Sequence, residues 1–108
     1  MKTTIVTAAR TVEQGKLLVT QRKKNSSHGL LWEFPGGKVE AGEDPRGALQ
    51  RELKEELDVE VEVGGLFDAV FHFYPGYPIL LLVYRCRVEK GSFKPIGCHA
   101  LRWVTLGE

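Results

Sequence analysis

Long hydrophobic runs are missing from this chain. The longest, Ile79 to Tyr84, is six residues, against the roughly 20 a helix needs to cross a bilayer. The first twenty residues carry charges and threonines and lack the apolar segment of a secretory signal. A cytoplasmic location and no membrane partner are therefore expected. Cysteine is scarce as well. Cys86 and Cys98 form no CxxC pair, which excludes a cysteine-built metal site and leaves reduced thiols as the expectation. Cys86 sits in an apolar run and reads as a small buried hydrophobe. An excess of one charge is also lacking. Fifteen basic and fourteen acidic residues leave +1, too little for a duplex nucleic-acid partner. Repeats, linkers and low-complexity stretches are absent.

What remains is average for a soluble globular fold, with 43% apolar and 27% charged residues. The 108 residues give room for a single domain, 1–108, and no second one. Thr3 to Ala9 and Lys16 to Arg22 read as strands rich in β-branched and apolar residues, joined by a turn at Glu13-Gln14-Gly15. A polar loop holding Asn25, Ser26, Ser27 and His28 leads to a very short strand at Trp32 to Phe34. From Pro35-Gly36-Gly37 to Gly42 glycine is too frequent for a regular element. Asp44-Pro45 is a helix start, an N-cap acid followed by proline at the first helical position. Ala48, Leu49, Leu53 and Leu57 continue it at helical spacing. Strands follow at Val59 to Val63 and Leu66 to Phe73, broken by Gly64-Gly65, then at Ile79 to Val88 and Ala100 to Val104. The class is α+β, with one helix on one face of a mixed sheet.

The helix carries the chemistry. At 100° per residue, Glu52, Glu55 and Glu56 fall within one arc of about 100°, beside the leucine stripe. Such acids repel by a few tenths of a kcal/mol per pair. Arg51 reaches Glu55 at i+4 but does not neutralise three carboxylates. A hard divalent cation does, and Mg²⁺ or Mn²⁺ takes oxygen ligands while keeping waters for a phosphate. On its own, E-x-x-E-E is more often a solvated helix face. Its context is not ordinary: a glycine turn, Pro35-Gly36-Gly37-Lys38, lies just upstream, where backbone can approach a ligand closely, and Glu43 adds an acid before the helix.

These residues resemble the Nudix box, G-x5-E-x7-R-E-U-x-E-E-x-G-U with U apolar. Gly37, Glu43 and the run Arg51-Glu52-Leu53-Lys54-Glu55-Glu56-Leu57-Asp58-Val59 match eight of its nine fixed positions over 23 residues. Trp32-Glu33-Phe34-Pro35-Gly36-Gly37-Lys38 resembles the MutT-like branch, and the element order fits that fold. Three departures stand out. Asp58 replaces a glycine at the helix end, where aspartate adopts the left-handed conformation at modest cost. Gly97 stands where MutT-like hydrolases often carry a further glutamate, six residues before Trp103, so weaker metal binding or a contribution from His99 is expected. The family usually continues into a C-terminal helix over the second sheet face. This sequence stops at Glu108, so that helix is expected to be missing, through truncation or with a homodimer covering the apolar face.

The resemblance implies Mg²⁺-dependent (or Mn²⁺-dependent) hydrolysis of a nucleoside triphosphate to the monophosphate and pyrophosphate. The substrate would be an oxidised purine nucleotide such as 8-oxo-dGTP, or a pyrimidine nucleotide such as CTP. It assigns Glu52, Glu55 and Glu56 with the Gly36 carbonyl to the metal, and one of the three acids, Glu52 first, to activating water. Arg51 joins the catalytic group as a positioning residue paired with Glu43 or Glu55, and Gly37, Glu43 and Arg51 shape the motif. Arg22 is the first basic candidate for the phosphates or the base, with a solvated strand-end charge close behind; Lys38 is a candidate for a phosphate and equally a loop charge, and Gly37 joins the substrate-binding group. Phe34, Phe73 and Tyr74 are candidates to stack on a base, although strand aromatics are more often core. His28 and His72 have no companion ligands. Two other readings stay open. One is an ADP-ribose or nucleotide-sugar pyrophosphatase, to which Pro75 gives a weak pointer. The other is a non-catalytic Nudix domain that recognises a modified nucleotide or a protein partner, against which the retained acids speak.

Overall fold

Pro45 begins the helix because its fixed φ suits the first helical position, where an N–H would lack a partner anyway. The Asp44 carboxylate accepts from the Gly47 N–H at 2.9 Å and caps the end. In the computed structural model, which describes residues 2–26 and 29–106, α1 (Pro45–Leu57) buries Ala48, Leu49, Leu53 and Leu57 completely. The apolar spacing anticipated this stripe. The helix stops at Asp58, left-handed at φ 53° and ψ 44°, whose N–H donates to the Lys54 carbonyl at 3.1 Å. Its carboxylate lies 3.4 Å from the Lys54 ammonium. Aspartate thus takes the glycine conformation with a local ion pair beside it.

The described residues also form seven strands: β1 (Thr4–Glu13), β2 (Lys16–Gln21), β3 (Trp32–Glu33), β4 (Gly36–Lys38), β5 (Glu60–Tyr74), β6 (Tyr77–Lys90) and β7 (Ala100–Thr105). The main order is β3-β2-β1-β6-β5, with β4 also on β1 and β7 also on β2. All pairs are antiparallel except β1 with β6, in register from Thr4↔Ile79 to Thr11↔Cys86. A parallel pair needs a crossover, and the stretch holding α1 lies within it. The helix packs on β1, β4 and β5. Its leucines close a core with Ala9, Leu18, Val59, Val61, Tyr84 and Cys86, so Cys86 is the buried hydrophobe anticipated.

Two glycine signals read differently in three dimensions. Gly36 to Lys38 was expected to be irregular, yet it pairs with β1 through Val6↔Lys38, Thr7↔Gly37 and Ala8↔Gly36. Glycine is needed there because a Cβ on Gly36 would collide with the Thr7 carbonyl oxygen. Gly64-Gly65 was expected to break a strand, yet β5 is continuous. The glycines sit in an irregular stretch with register shifts between Val63 and Leu66 and between Leu66 and Asp68, where bulges bend a strand without ending it. β1 also runs on to Glu13, four residues past the expected Ala9. Its first part pairs with β6 and its end, Val12 and Glu13, with β2. At the far end of the β5–β6 hairpin Phe71, Phe73 and Tyr77 are exposed. Among the described residues no helix is long and apolar enough to cross a membrane.

Candidate active site

The last turns of α1, strand β4, the end of β2 and residues 97–98 enclose a cleft of about 430 Å³. One wall is acidic, with Glu33, Glu52 and Glu56; Arg22, Lys23 and Lys38 line it as well. Gly37 explains itself here, since a Cβ would collide with the Glu52 carboxylate. The glycine of the motif is the space in which that acid sits.

Arg51 sorts the acids. Its Nε donates to Glu43 at 2.7 Å and its Nη2 to the other Glu43 oxygen at 2.9 Å. Nη1 donates to Glu52 at 3.0 Å and to Glu55 at 2.9 Å, and Nη2 also to the Lys38 carbonyl at 3.2 Å. This fork is the geometry arginine offers and lysine lacks. It holds Glu43 well below the usual carboxylate range, at about 2, helped by the Glu40 N–H. The same partners, Glu43 first and then Glu55, hold Arg51 more firmly protonated than usual. Arg51 thus pairs with both acids proposed for it. Glu55 is half exposed beside it and is not part of the cleft lining.

Glu56 is the opposite case. Burial, then the nearby charges of Glu52 and Glu33, push its carboxyl up to about 8, against the Gly36 N–H that donates to it and the Arg22 charge. Its Oε2 is buried with no hydrogen-bond partner. Glu52 is raised too, by burial first, with Arg51 opposing. A buried acid oxygen without a donor, next to a second acid and the Gly36 backbone, is a site that a cation would complete. The oxygens of Glu52 and Glu56 are of the hard-donor type that need calls for. Among the described residues no three His, Cys, Asp or Glu side chains converge as a ready ligand set, and Glu55 is turned to Arg51.

Of the other expected residues, Arg22 lies just past β2 with its Nη1 3.2 Å from Glu33, and Lys38 lines the same cleft. Phe34 faces an adjoining hollow of about 180 Å³ with Val6, Ala8 and Leu81, which shares Arg22, Glu33, Gly36 and Gly37. Phe73 and Tyr74 line neither; Tyr74 stacks between His72 and Tyr77 on the hairpin. The His99 side chain is not in the lining, and its N–H donates to the Gln21 carbonyl at 2.9 Å. Gly97 stands hard against the helix end: a Cβ would lie 2.8 Å from Glu56 Cα and 2.9 Å from the Glu55 carbonyl oxygen. A carboxylate at this position has no room. His28 lies outside the described residues. Glu33 and Cys98 also line the cleft, and the motif spacing does not point to either. Glu33 stands in the quoted Trp-Glu-Phe-Pro run, but its pairing with Arg22 spans a loop and leaves no local pattern.

Known proteins resemble the chain in both sequence and shape. The NUDIX domain model matches residues 1–108. A CTP pyrophosphohydrolase of Escherichia coli (strain K12) is 52% identical over 64 residues, which is 59% of this chain and 47% of that protein. The match thus spans about half the relative's length. A putative 8-oxo-dGTP diphosphatase 2 of Mycobacterium tuberculosis is 39% identical over 105 residues, 96% of this chain and 74% of that protein. In shape, the crystal structure of a MutT NUDIX hydrolase from Burkholderia pseudomallei superposes with a TM-score of 0.88 at 27% identity, covering 100% of this chain and 87% of that one. With the domain model matching from end to end, and with Gly37 making way for Glu52 as the motif requires, the chain belongs to the NUDIX domain family.

Proposed function

We propose that the chain hydrolyses nucleoside triphosphates to the monophosphate and pyrophosphate with a divalent cation, Mg²⁺ or Mn²⁺. An oxidised purine nucleotide such as 8-oxo-dGTP, or CTP, is the substrate class that the named relatives suggest. The observation that carries the reading is the unpartnered Glu56 Oε2, buried in a cleft that it shares with Glu52 and with Arg22 and Lys38. Glu52, Glu56 and the Gly36 carbonyl would hold the cation, with Glu55 at the margin. When bound, the cation neutralises phosphate charge and polarises the phosphorus–oxygen bond.

The chain's own groups supply the rest. Arg22 and Lys38 bind phosphate oxygens and orient the anhydride. Arg51 fixes Glu52 so that its free oxygen keeps one direction. Glu52 takes the proton of the attacking water as a new phosphorus–oxygen bond forms. The anhydride bond breaks, and its electrons leave with pyrophosphate. Phe34 and the hollow beside it offer an apolar wall to the base.

The test is a panel of canonical and oxidised nucleotides, nucleotide sugars and ADP-ribose, assayed for pyrophosphate or phosphate release with Mg²⁺. Monophosphate and pyrophosphate from a triphosphate are expected. Nucleotide binding without turnover on any of them would replace the hydrolase with a recognition module.

A further inference from the structure

The stretch between β6 and β7, residues 91–99, ties two walls of the cleft together. The Lys94 N–H donates to the Leu57 carbonyl at 2.9 Å, and the Gly97 N–H to the Glu56 carbonyl at 2.8 Å. Helix carbonyls of the last turn have no partner within their own helix, so this stretch satisfies two that the Asp58 cap leaves open. Two residues on, the His99 N–H donates to the Gln21 carbonyl, next to Arg22. One short piece of backbone therefore spans from Glu56 to the end of β2. Gly97 is its contact point, close enough that no side chain fits between it and α1.

We infer that Gly97 is a positioning residue: its backbone, docked on the Glu56 carbonyl, holds the Glu56 carboxylate at the cation position and sets its distance from Arg22. A chain with a glutamate here would add an acid to the cleft, whereas this one adds a clamp. The catalytic part of the inference rests on the hydrolase reading above; the part concerning the cation does not.

Gly97→Ala places a methyl against backbone atoms that cannot swing aside, so Glu56 must shift. A misplacement of this size lowers kcat by about 10²-fold with little change in KM, and weakens Mn²⁺ binding to the protein alone by about tenfold. The comparison is Val83→Ala, in the core on β6 and outside the cleft. It should lower Tm while leaving kcat and Mn²⁺ affinity at the wild-type level. A Gly97→Ala protein with unchanged kcat and Mn²⁺ affinity overturns the inference, and so does an equal loss in both variants at equal Tm. Should Gly97→Ala fail to fold, hydrogen exchange of the wild-type Gly97 amide decides. Docking and cation binding are linked, so added Mn²⁺ should slow that exchange, and an unaffected rate overturns the inference. Slowed exchange in a wild type that hydrolyses no nucleotide would keep the clamp and remove the hydrolase.

Discussion

Glu43 and Glu56 lie at opposite ends of one motif and in opposite electrostatic surroundings. Glu43 meets the guanidinium of Arg51 through both its oxygens and is driven down to about 2. Glu56 is half-buried, with its Oε2 shut off from water and unmatched, and is driven up to about 8. Both are glutamates of the same signature, so residue type does not separate them. Arg51 does, by serving Glu43, Glu55 and one oxygen of Glu52 and leaving Glu56 to the cleft. An acid paired so completely holds the loop before α1 in place. An acid with an oxygen left unmatched in a desolvated place is relieved by a proton or by a cation, and that marks it for chemistry.

The sharpest way to break this contrast is to neutralise each cleft acid. Glu56→Gln and Glu52→Gln should each lower turnover by about 10²–10⁴-fold, with Tm little changed for Glu56→Gln near neutral pH, because burial already favours the uncharged carboxyl. Normal turnover in either variant, measured by pyrophosphate release, removes that residue from the site. Next in size is Leu53→Ala, on the buried stripe beneath both acids. Truncating a fully buried leucine costs about 2–5 kcal/mol, and a denaturant melt with an unshifted midpoint would show that the stripe does not hold the helix. Arg51→Lys is milder. One ammonium cannot serve Glu43, Glu52, Glu55 and the Lys38 carbonyl together, so Mn²⁺ affinity and kcat should fall by about tenfold as Glu52 loses its fixed direction. Unaltered affinity by calorimetry would mean that the fork is not what orients Glu52.

The helix and its acidic arc were legible because each has a local code. Asp44-Pro45 marks the start, the leucine spacing marks the buried stripe, and Glu52, Glu55 and Glu56 fall on one arc by arithmetic. Periodicity gives an arc and no more. The reach of Arg51 to Glu55 was legible from the i+4 spacing, whereas the desolvation of Glu56 depends on what the fold packs around the last turn, and no spacing records that. The glycines misled for a related reason. Gly36 and Gly64-Gly65 signal loops in a linear reading, but here they permit close strand approach and a bulge. Gly97 was read as a missing acid. Its contact with Glu56 joins segments far apart in sequence, and no local pattern records it.

The smallest effect concerns Glu43 alone and isolates the structural half of the contrast. Its folded pKa lies near 2, below the 4.5 of an unperturbed glutamate. A carboxyl with a depressed folded pKa binds fewer protons folded than unfolded, so its contribution to stability is complete above the unfolded pKa. That contribution fades as pH falls from about 4.5 and is gone below about 2. Glu43 is partly open to solvent, which screens its pairing and keeps the effect modest. Glu43→Gln should therefore melt earlier than wild type at neutral pH, with the two Tm values converging as the pH is lowered from 5 towards 2. A constant offset across that range would mean that shape and hydrogen bonding, not charge, explain why the motif places an acid here. A vanishing offset assigns the role to the ion pair with Arg51, the same arginine that leaves the Glu56 Oε2 unmatched.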